Sequence, residues 1–252
     1  MQSRVWKLSE YGDPSVLQCH DETLPEPGPG QVTLRLKAIG LNRAEFNFVA
    51  GNYVPARSFP TCLGHEAIGE IIAAGPPAPE QPPFPGVSLE PGTRVALRPG
   101  AVDVGGMGSY RTAGLYSQAG LLPVPERFTD QEAAGFWMGV LTAGGGLRVA
   151  GITPDNAAGK RVLVTAGASG MGVMALKIAR AWGAETLATT RGEAKRAALS
   201  DLADHVLVCP EASALPDLVK QAGEGEKGID AAFDPIGGDH VPAMIQAANP
   251  LA

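Results

Sequence analysis

The chain has 252 residues, 44% of them hydrophobic and 18% charged, a balance that suits a globular protein with a substantial core in one large or two smaller domains. A net charge of −6 leaves no basic excess to neutralise phosphates, which argues against a nucleic-acid partner, and no apolar run is long enough for a membrane span. Three widely spaced cysteines, Cys19, Cys62 and Cys209, form no disulfide framework, and the first residues lack an apolar signal-type stretch, so the reading is a cytoplasmic protein.

Up to about residue 125 the sequence consists of short runs of alternating apolar and polar residues between Gly and Pro. Val32–Ala38, Ala67–Ala73 and Arg94–Leu97 read as strands of a mostly β domain. Between Gly75 and Gly92 seven prolines predict an extended surface loop. After residue 125 the pattern becomes strand, helix, strand, helix. Arg161–Thr165 reads as a strand, and Met171–Trp182 as a helix closed by Gly183. Thr186–Thr190 is a strand, Glu193–Leu202 a helix, His205–Cys209 a strand, Leu215–Ala222 a helix and Ile229–Asp234 a strand. This alternation predicts an α/β unit with a doubly wound parallel sheet. Such sheets usually have six strands in two halves, and four are visible, so the expectation is that a C-terminal part lies beyond this sequence.

The turn between the first strand and helix of this second part reads Gly167-Ala168-Ser169-Gly170-Met171-Gly172. Small residues permit a tight turn and close approach of backbone to a pyrophosphate, and the helix N-terminus supplies N–H donors. A tight turn with no ligand is the plainer alternative. An acidic residue at the tip of the next strand would favour NAD through the ribose 2′-OH. Here the tip is Thr189-Thr190-Arg191, with Lys195 one turn on, and cations suit the 2′-phosphate of NADPH. Glu193 among them counts the other way. A short-chain dehydrogenase would need a tyrosine after its glycine turn, and all four tyrosines precede this one.

The chain as a whole resembles the medium-chain dehydrogenase/reductase superfamily, in its zinc-independent quinone oxidoreductase-like branch. The residues that carry the resemblance are Gly12–Leu17, Leu24–Val32, Gly40-Leu41-Asn42-Arg43-Ala44-Glu45, Leu63-Gly64-His65-Glu66-Ala67-Ile68-Gly69, Leu141-Thr142-Ala143, the glycine turn and Phe233-Asp234-Pro235-Ile236-Gly237-Gly238. The resemblance implies a GroES-like β-domain over residues 1–125 and a Rossmann domain over residues 126–252, with NADPH as cofactor and a quinone, enone or similar small molecule as acceptor. It implies cofactor contacts from Thr142, Gly167, Ala168, Ser169, Gly170, Met171, Gly172, Thr190, Arg191, Lys195, Cys209, Asp234 and Pro235. It points to Asn42, Tyr53 and Thr142 as the catalytic set, with Asn42 and Thr142 orienting carboxamide or substrate oxygen and Tyr53 donating a hydrogen bond or a proton. A homodimer stays open, since relatives build one from later Rossmann strands.

Zinc-dependent relatives hold their metal through a Cys, a His and a further Cys or acidic group. This sequence has Asn42 at the first place, keeps His65-Glu66, and offers no Cys in Met138–Gly146 for the third, so the reading is no metal. His65 then reads as a structural histidine, and Glu66 as a partner of local backbone or an Arg. Asn42 as a turn former, Tyr53 as a loop residue and Thr142 bonded to its own helix are the plainer alternatives. Asn47 replaces a tyrosine common in quinone reductases, while Phe46 and Phe48 suit either an apolar pocket or helix packing. His205 reads as a strand residue, His20 as surface, and His240 as following a glycine turn. Two other functions stay in view: an alcohol dehydrogenase-like enzyme, and a non-catalytic NADPH-binding protein.

Overall fold

The computed structural model describes residues 1–223 and 227–250. The chain divides into two compact units, Met1–Met138 and Gly139–Ala252. The division falls after the change in sequence character near residue 125, because Ala133 and Ala134 are buried against Ile68 and so tie their segment to the first unit.

The first unit contains strands β1 (Gln2–Leu8), β2 (Leu17–Thr23), β3 (Gln31–Ile39), β4 (Thr61–Cys62), β5 (Ala67–Ala74), β6 (Arg94–Leu97), β7 (Ala113–Ser117) and β8 (Leu121–Pro123). Its helices are α1 (Arg43–Val49), α2 (Val104–Met107) and α3 (Asp130–Ala134). A five-stranded antiparallel sheet runs β7-β3-β5-β6-β8, and a three-stranded one runs β2-β1-β4. The expected strands Val32–Ala38, Ala67–Ala73 and Arg94–Leu97 are β3, β5 and β6. Their inward residues Val32, Leu34, Ile71, Val95 and Leu97 form one core with Tyr116 and Leu121. The proline-rich stretch after β5 is irregular, as proline's missing N–H requires.

Helix α4 (Trp137–Val149) begins at the end of the first unit. The second unit continues with β9 (Arg161–Val164), α5 (Gly170–Ala181), β10 (Glu185–Thr190), α6 (Arg196–Ser200), β11 (His205–Val208), α7 (Leu215–Gln221), β12 (Ala231–Phe233) and α8 (His240–Ala247). The four strands are parallel in the order β11-β10-β9-β12. Period-two alternation sends Val162, Val164 and Ala188 to one face, under Ala175, Leu176 and Ala179 of α5. Leu163, Leu187 and Leu207 point to the other, under Leu215, Val219, Ala243 and Ala247 of α7 and α8. Helices on both faces make the sheet doubly wound, as expected. The order reverses between β9 and β12, and the carboxyl ends flanking such a reversal form the crevice in which open α/β sheets bind ligands. Among the described residues no helix is long and apolar enough to cross a membrane.

Candidate active site

In the second unit the candidate residues gather at the carboxyl ends of the parallel strands. Ala166 takes a left-handed φ of 45°, which lets the chain double back after β9. The turn is then fastened to β10: the Ala166 N–H donates to Thr189 Oγ1 at 3.2 Å and the Gly167 N–H to the Thr189 carbonyl at 2.9 Å. Ser169 caps α5, its hydroxyl accepting from the Gly172 N–H at 3.0 Å. Two glycines are there for packing. A Cβ on Gly167 would stand 2.9 Å from the Cβ of Ala188, and one on Gly172 only 2.4 Å from the Ala166 carbonyl oxygen. At Gly170 a Cβ would meet nothing within 4 Å, so the turn is open to a visitor there. The N–H groups of Gly170 and Met171 have no hydrogen-bond partner among the described residues, leaving first-turn donors for an anion. Ala168 and Met171 pack partly against the α5 side of the core.

The loop after β12 closes the other side. Thr165 Oγ1 donates to Asp234 Oδ1. Asp234 also accepts from the N–H groups of Ile236, at 3.1 Å, and Gly237, at 2.9 Å. Asp234 thus holds its own loop and anchors it to the end of β9, with Pro235 exposed beside it.

At the tip of β10, Thr190 is buried and its hydroxyl donates to the Gly192 carbonyl at 3.3 Å. Arg191 and Lys195 are exposed, and neither makes an ion pair among the described residues. Glu193, which the sequence set against a phosphate site, is paired instead with Arg196 at 3.2 Å. Cys209, just past β11, donates its N–H to the Thr190 carbonyl at 2.7 Å. Its thiol is buried, turned to the Glu211 carbonyl, and raised above the ordinary thiol range by that burial and by the Glu211 charge. Thr142 is exposed on α4, and its hydroxyl makes no bond to the helix backbone among the described residues, so the self-bonded alternative does not hold. These residues fit a dinucleotide: small groups where backbone must come close, orphan donors for phosphate, and free cations at the second strand tip.

In the first unit Asn42 precedes α1 and links two buried carboxylates. Its N–H donates to Glu45 Oε2 at 2.7 Å, and its Nδ2 donates to Glu66 Oε1 at 3.1 Å. Glu66 Oε2 accepts from the Met138 N–H at 2.8 Å, and Glu45 Oε1 binds His65 Nδ1 at 2.8 Å. Burial lifts the Glu66 carboxyl above the usual carboxylate range; bonds from Met138 and Asn42 pull it back in part, and nearby Glu45 adds to the rise. Glycine makes room for this cluster: a Cβ on Gly40 would stand 2.4 Å from Glu66 Oε1, and Gly64, at φ 101°, would strike Ser109 Oγ at 2.2 Å. Among the described residues Glu66 therefore bonds backbone and Asn42, and no Arg. His65 has a carboxylate partner that its sequence neighbourhood did not announce.

Next to the cluster the first unit has a cavity of about 540 Å³. Tyr53, His65 and Glu45 supply polar wall, Phe48 and Leu63 apolar wall, and Arg57 and Asp103 stand at it as charges. Tyr53 is half exposed, and its hydroxyl has no partner among the described residues. Phe48 serves both cavity and core, whereas Phe46 is half exposed with Arg43 4.7 Å above its ring. Tyr53 and the His65–Glu45 pair thus meet at one cavity, which Asn42 touches only through Glu45. Sequence reasoning missed Glu45; its three-residue spacing from Asn42, the capping-box spacing, was the available signal. Among the described residues no group of three or more His, Cys, Asp or Glu side chains is placed to hold a metal ion.

An antiparallel β-unit with a buried polar cluster is thus followed in the chain by a parallel α/β unit whose glycine turn has the geometry of a dinucleotide site. The family model described as alcohol dehydrogenase GroES-like domain matches residues 28–145, and that described as zinc-binding dehydrogenase matches residues 170–251. A quinone oxidoreductase of Pseudomonas aeruginosa is 30% identical over 195 residues, covering 77% of this chain and 54% of that protein. The crystal structure of a Pseudomonas syringae quinone oxidoreductase is 26% identical with a TM-score of 0.79, covering 98% of this chain and 71% of that one. A structure described as an NAD-dependent alcohol dehydrogenase is 28% identical with a TM-score of 0.84, covering 97% and 74%. The chain belongs to the medium-chain dehydrogenase/reductase superfamily, in its quinone oxidoreductase-like branch. It spans 54% to 59% of the length of the first curated relatives it matches.

Proposed function

We propose that this protein reduces a quinone, an enone or a similarly activated double bond with NADPH and without zinc. The observation that supports this reading best is the tip of β10, where Arg191 and Lys195 stand exposed and unpaired while Glu193 is engaged by Arg196. Two free cations beside a glycine turn suit a ribose 2′-phosphate, which NADH lacks. When bound, the dinucleotide supplies the hydride. The chain's part is to hold phosphates at the first turn of α5, to fix the loop after β12 through Asp234, and to present polar groups to an acceptor. Tyr53 offers a hydroxyl to the acceptor oxygen, which gains charge as hydride arrives. Asn42 keeps Glu45 and Glu66 in place, and Thr142 offers an unengaged hydroxyl to the carboxamide. The sequence resemblance to quinone oxidoreductases supports the acceptor class, and the amide at position 42 supports a metal-free site.

The test is oxidation of NADPH and NADH against a panel of quinones, enones and aldehydes, followed at 340 nm. NADPH is the expected donor, and Arg191→Ala with Lys195→Ala lowers kcat/KM for NADPH by about 10- to 100-fold, the loss of one or two charge-assisted hydrogen bonds, while NADH is little affected. Equal use of both donors, unchanged in the double variant, overturns the NADPH reading. Tight NADPH binding without turnover on any acceptor overturns the reductase reading.

A further inference from the structure

The segment after β10 carries the charges of Arg191, Glu193, Lys195 and Arg196, and all of these side chains are exposed. Gly192 adds no side chain, and a Cβ there would meet nothing within 4 Å, so the space beside it stays open. Glu193–Lys195 form a single tight turn, closed by the Arg196 N–H on the Glu193 carbonyl, before α6 begins at Arg196. The three-residue spacing of that turn brings Arg196 Nη1 to Glu193 Oε1 at 3.2 Å. Arg191 and Lys195, on either side of Glu193 in the chain, keep their charges unpaired among the described residues. With its side chains 52% and 71% accessible, the Arg196–Glu193 pair contributes little to stability. Its charges still act on their neighbours. A carboxylate standing between two cations competes with any anionic ligand of those cations, unless a third cation holds it.

We propose that Arg196 is a specificity-determining residue for NADPH that acts through Glu193: by holding that carboxylate it leaves Arg191 and Lys195 free for the ribose 2′-phosphate, without touching the phosphate itself. This role rests on the NADPH reading of the β10 tip. With Arg196 in place, an incoming phosphate meets two free cations and one closed pair. Without it, Glu193 either turns to Lys195 or Arg191 and takes a phosphate ligand away, or stays beside the phosphate as a like charge. Both outcomes weaken binding of a phosphate, and neither acts on a ribose that carries only a hydroxyl. Arg196 is thus a positioning residue, and its loss has no effect once Glu193 is absent as well.

The experiment is a double-mutant cycle on the full chain, with the Kd of NADPH and of NADH measured by fluorescence titration at low and at high salt. Arg196→Gln is expected to raise the NADPH Kd about 3- to 10-fold at low salt, the size of one like charge about 5 Å away in a largely aqueous setting. At about 0.5 M salt the ratio to wild type falls below about twofold, because exposed charges are then screened. Glu193→Gln stays within about twofold of wild type, and so does Glu193→Gln combined with Arg196→Gln. In all three variants the NADH Kd is unchanged within about twofold and the thermal midpoint within about 2 °C. A wild type that binds NADH as tightly as NADPH overturns the NADPH reading and this role with it. A wild type that prefers NADPH while Arg196→Gln matches it overturns the role alone. So does an Arg196→Gln loss of equal size in the Glu193→Gln background, which makes Arg196 a direct phosphate ligand. A loss that extends to NADH and lowers the thermal midpoint also overturns it, since the pair is then part of the framework.

Discussion

The turn at Ala166–Gly172 is held by backbone and by the absence of side chains, whereas the turn at Gly64–Glu66 is held by charged side chains reaching one another. In the first, Ala166 and Gly167 donate to Thr189, and Gly167 and Gly172 leave no space for a Cβ. In the second, Glu45 and Glu66 are nearly solvent-free, and Asn42 gives each a hydrogen bond. A backbone-built turn tolerates little change in residue size but is indifferent to pH. A carboxylate-built cluster depends on every donor being present and on who holds the protons.

The largest effect is expected from Glu66→Ala. It leaves Asn42 Nδ2 and the Met138 N–H without an acceptor in a buried place, at a cost of about 3 kcal/mol in denaturant unfolding. A change under about 1 kcal/mol would mean that water replaces the carboxylate and that the cluster is not a dry network. Gly172→Ala comes next, at about 2 kcal/mol for a Cβ pressed 2.4 Å from a carbonyl oxygen, with loss of dinucleotide affinity in the same sample. Ser169→Ala removes the α5 cap and lowers stability by about 1 kcal/mol. Smallest is Arg191→Ala, within about 0.5 kcal/mol in stability because the side chain is exposed and unpaired. Its effect belongs in NADPH affinity, and a clear loss of stability would show that Arg191 is part of the unit's framework.

Protons sharpen the contrast between the two units. Glu66 has a raised carboxyl in the folded chain, so the folded state still holds a proton where the unfolded chain has released one. Its contribution to stability therefore falls as pH rises from the ordinary value of 4.5 until the folded carboxyl has ionised. Asp204 in the second unit runs the other way. Burial pushes its carboxyl up, but the N–H and hydroxyl of Thr186, together with the Arg180 and His205 charges, hold it below 3.8 on balance. Its stabilisation is present above that value and is lost as pH falls below it. Unfolding curves of Glu66→Gln and Asp204→Asn against pH check both signs: each variant flattens its own window and leaves the other.

The second unit was legible because its chemistry is local. Val162, Leu163 and Val164 alternate between two apolar faces, Gly183 ends α5 with a φ of 93°, and each helix follows its strand within a few residues. The first unit was legible as β but not as a site. The partners Glu45 and His65 are 20 residues apart, and Asn42 and Glu66 are 24 apart, distances at which spacing carries no signal. Strand β1 hides for a related reason: its inward set mixes Ser3 with Val5 and Leu8, and Ser3 is satisfied by the Ala113 carbonyl 110 residues away. His65 read alone looked structural, and its Glu45 partner, 20 residues back in the chain, shows only in the fold.

The clasp between Thr165 and Asp234 joins residues 69 apart, and β12 must find β9 across the whole of β10 and β11. Chain closure over such a span comes late, since loop entropy is spent before the contact returns it. During synthesis the glycine turn is thus made first and sealed last: until Asp234 has emerged, the strand end and first helix lie together with one wall of the crevice missing. Dinucleotide affinity should therefore appear abruptly in a series of lengthening chains, at the length that delivers the Asp234 loop and not at the length that delivers the turn.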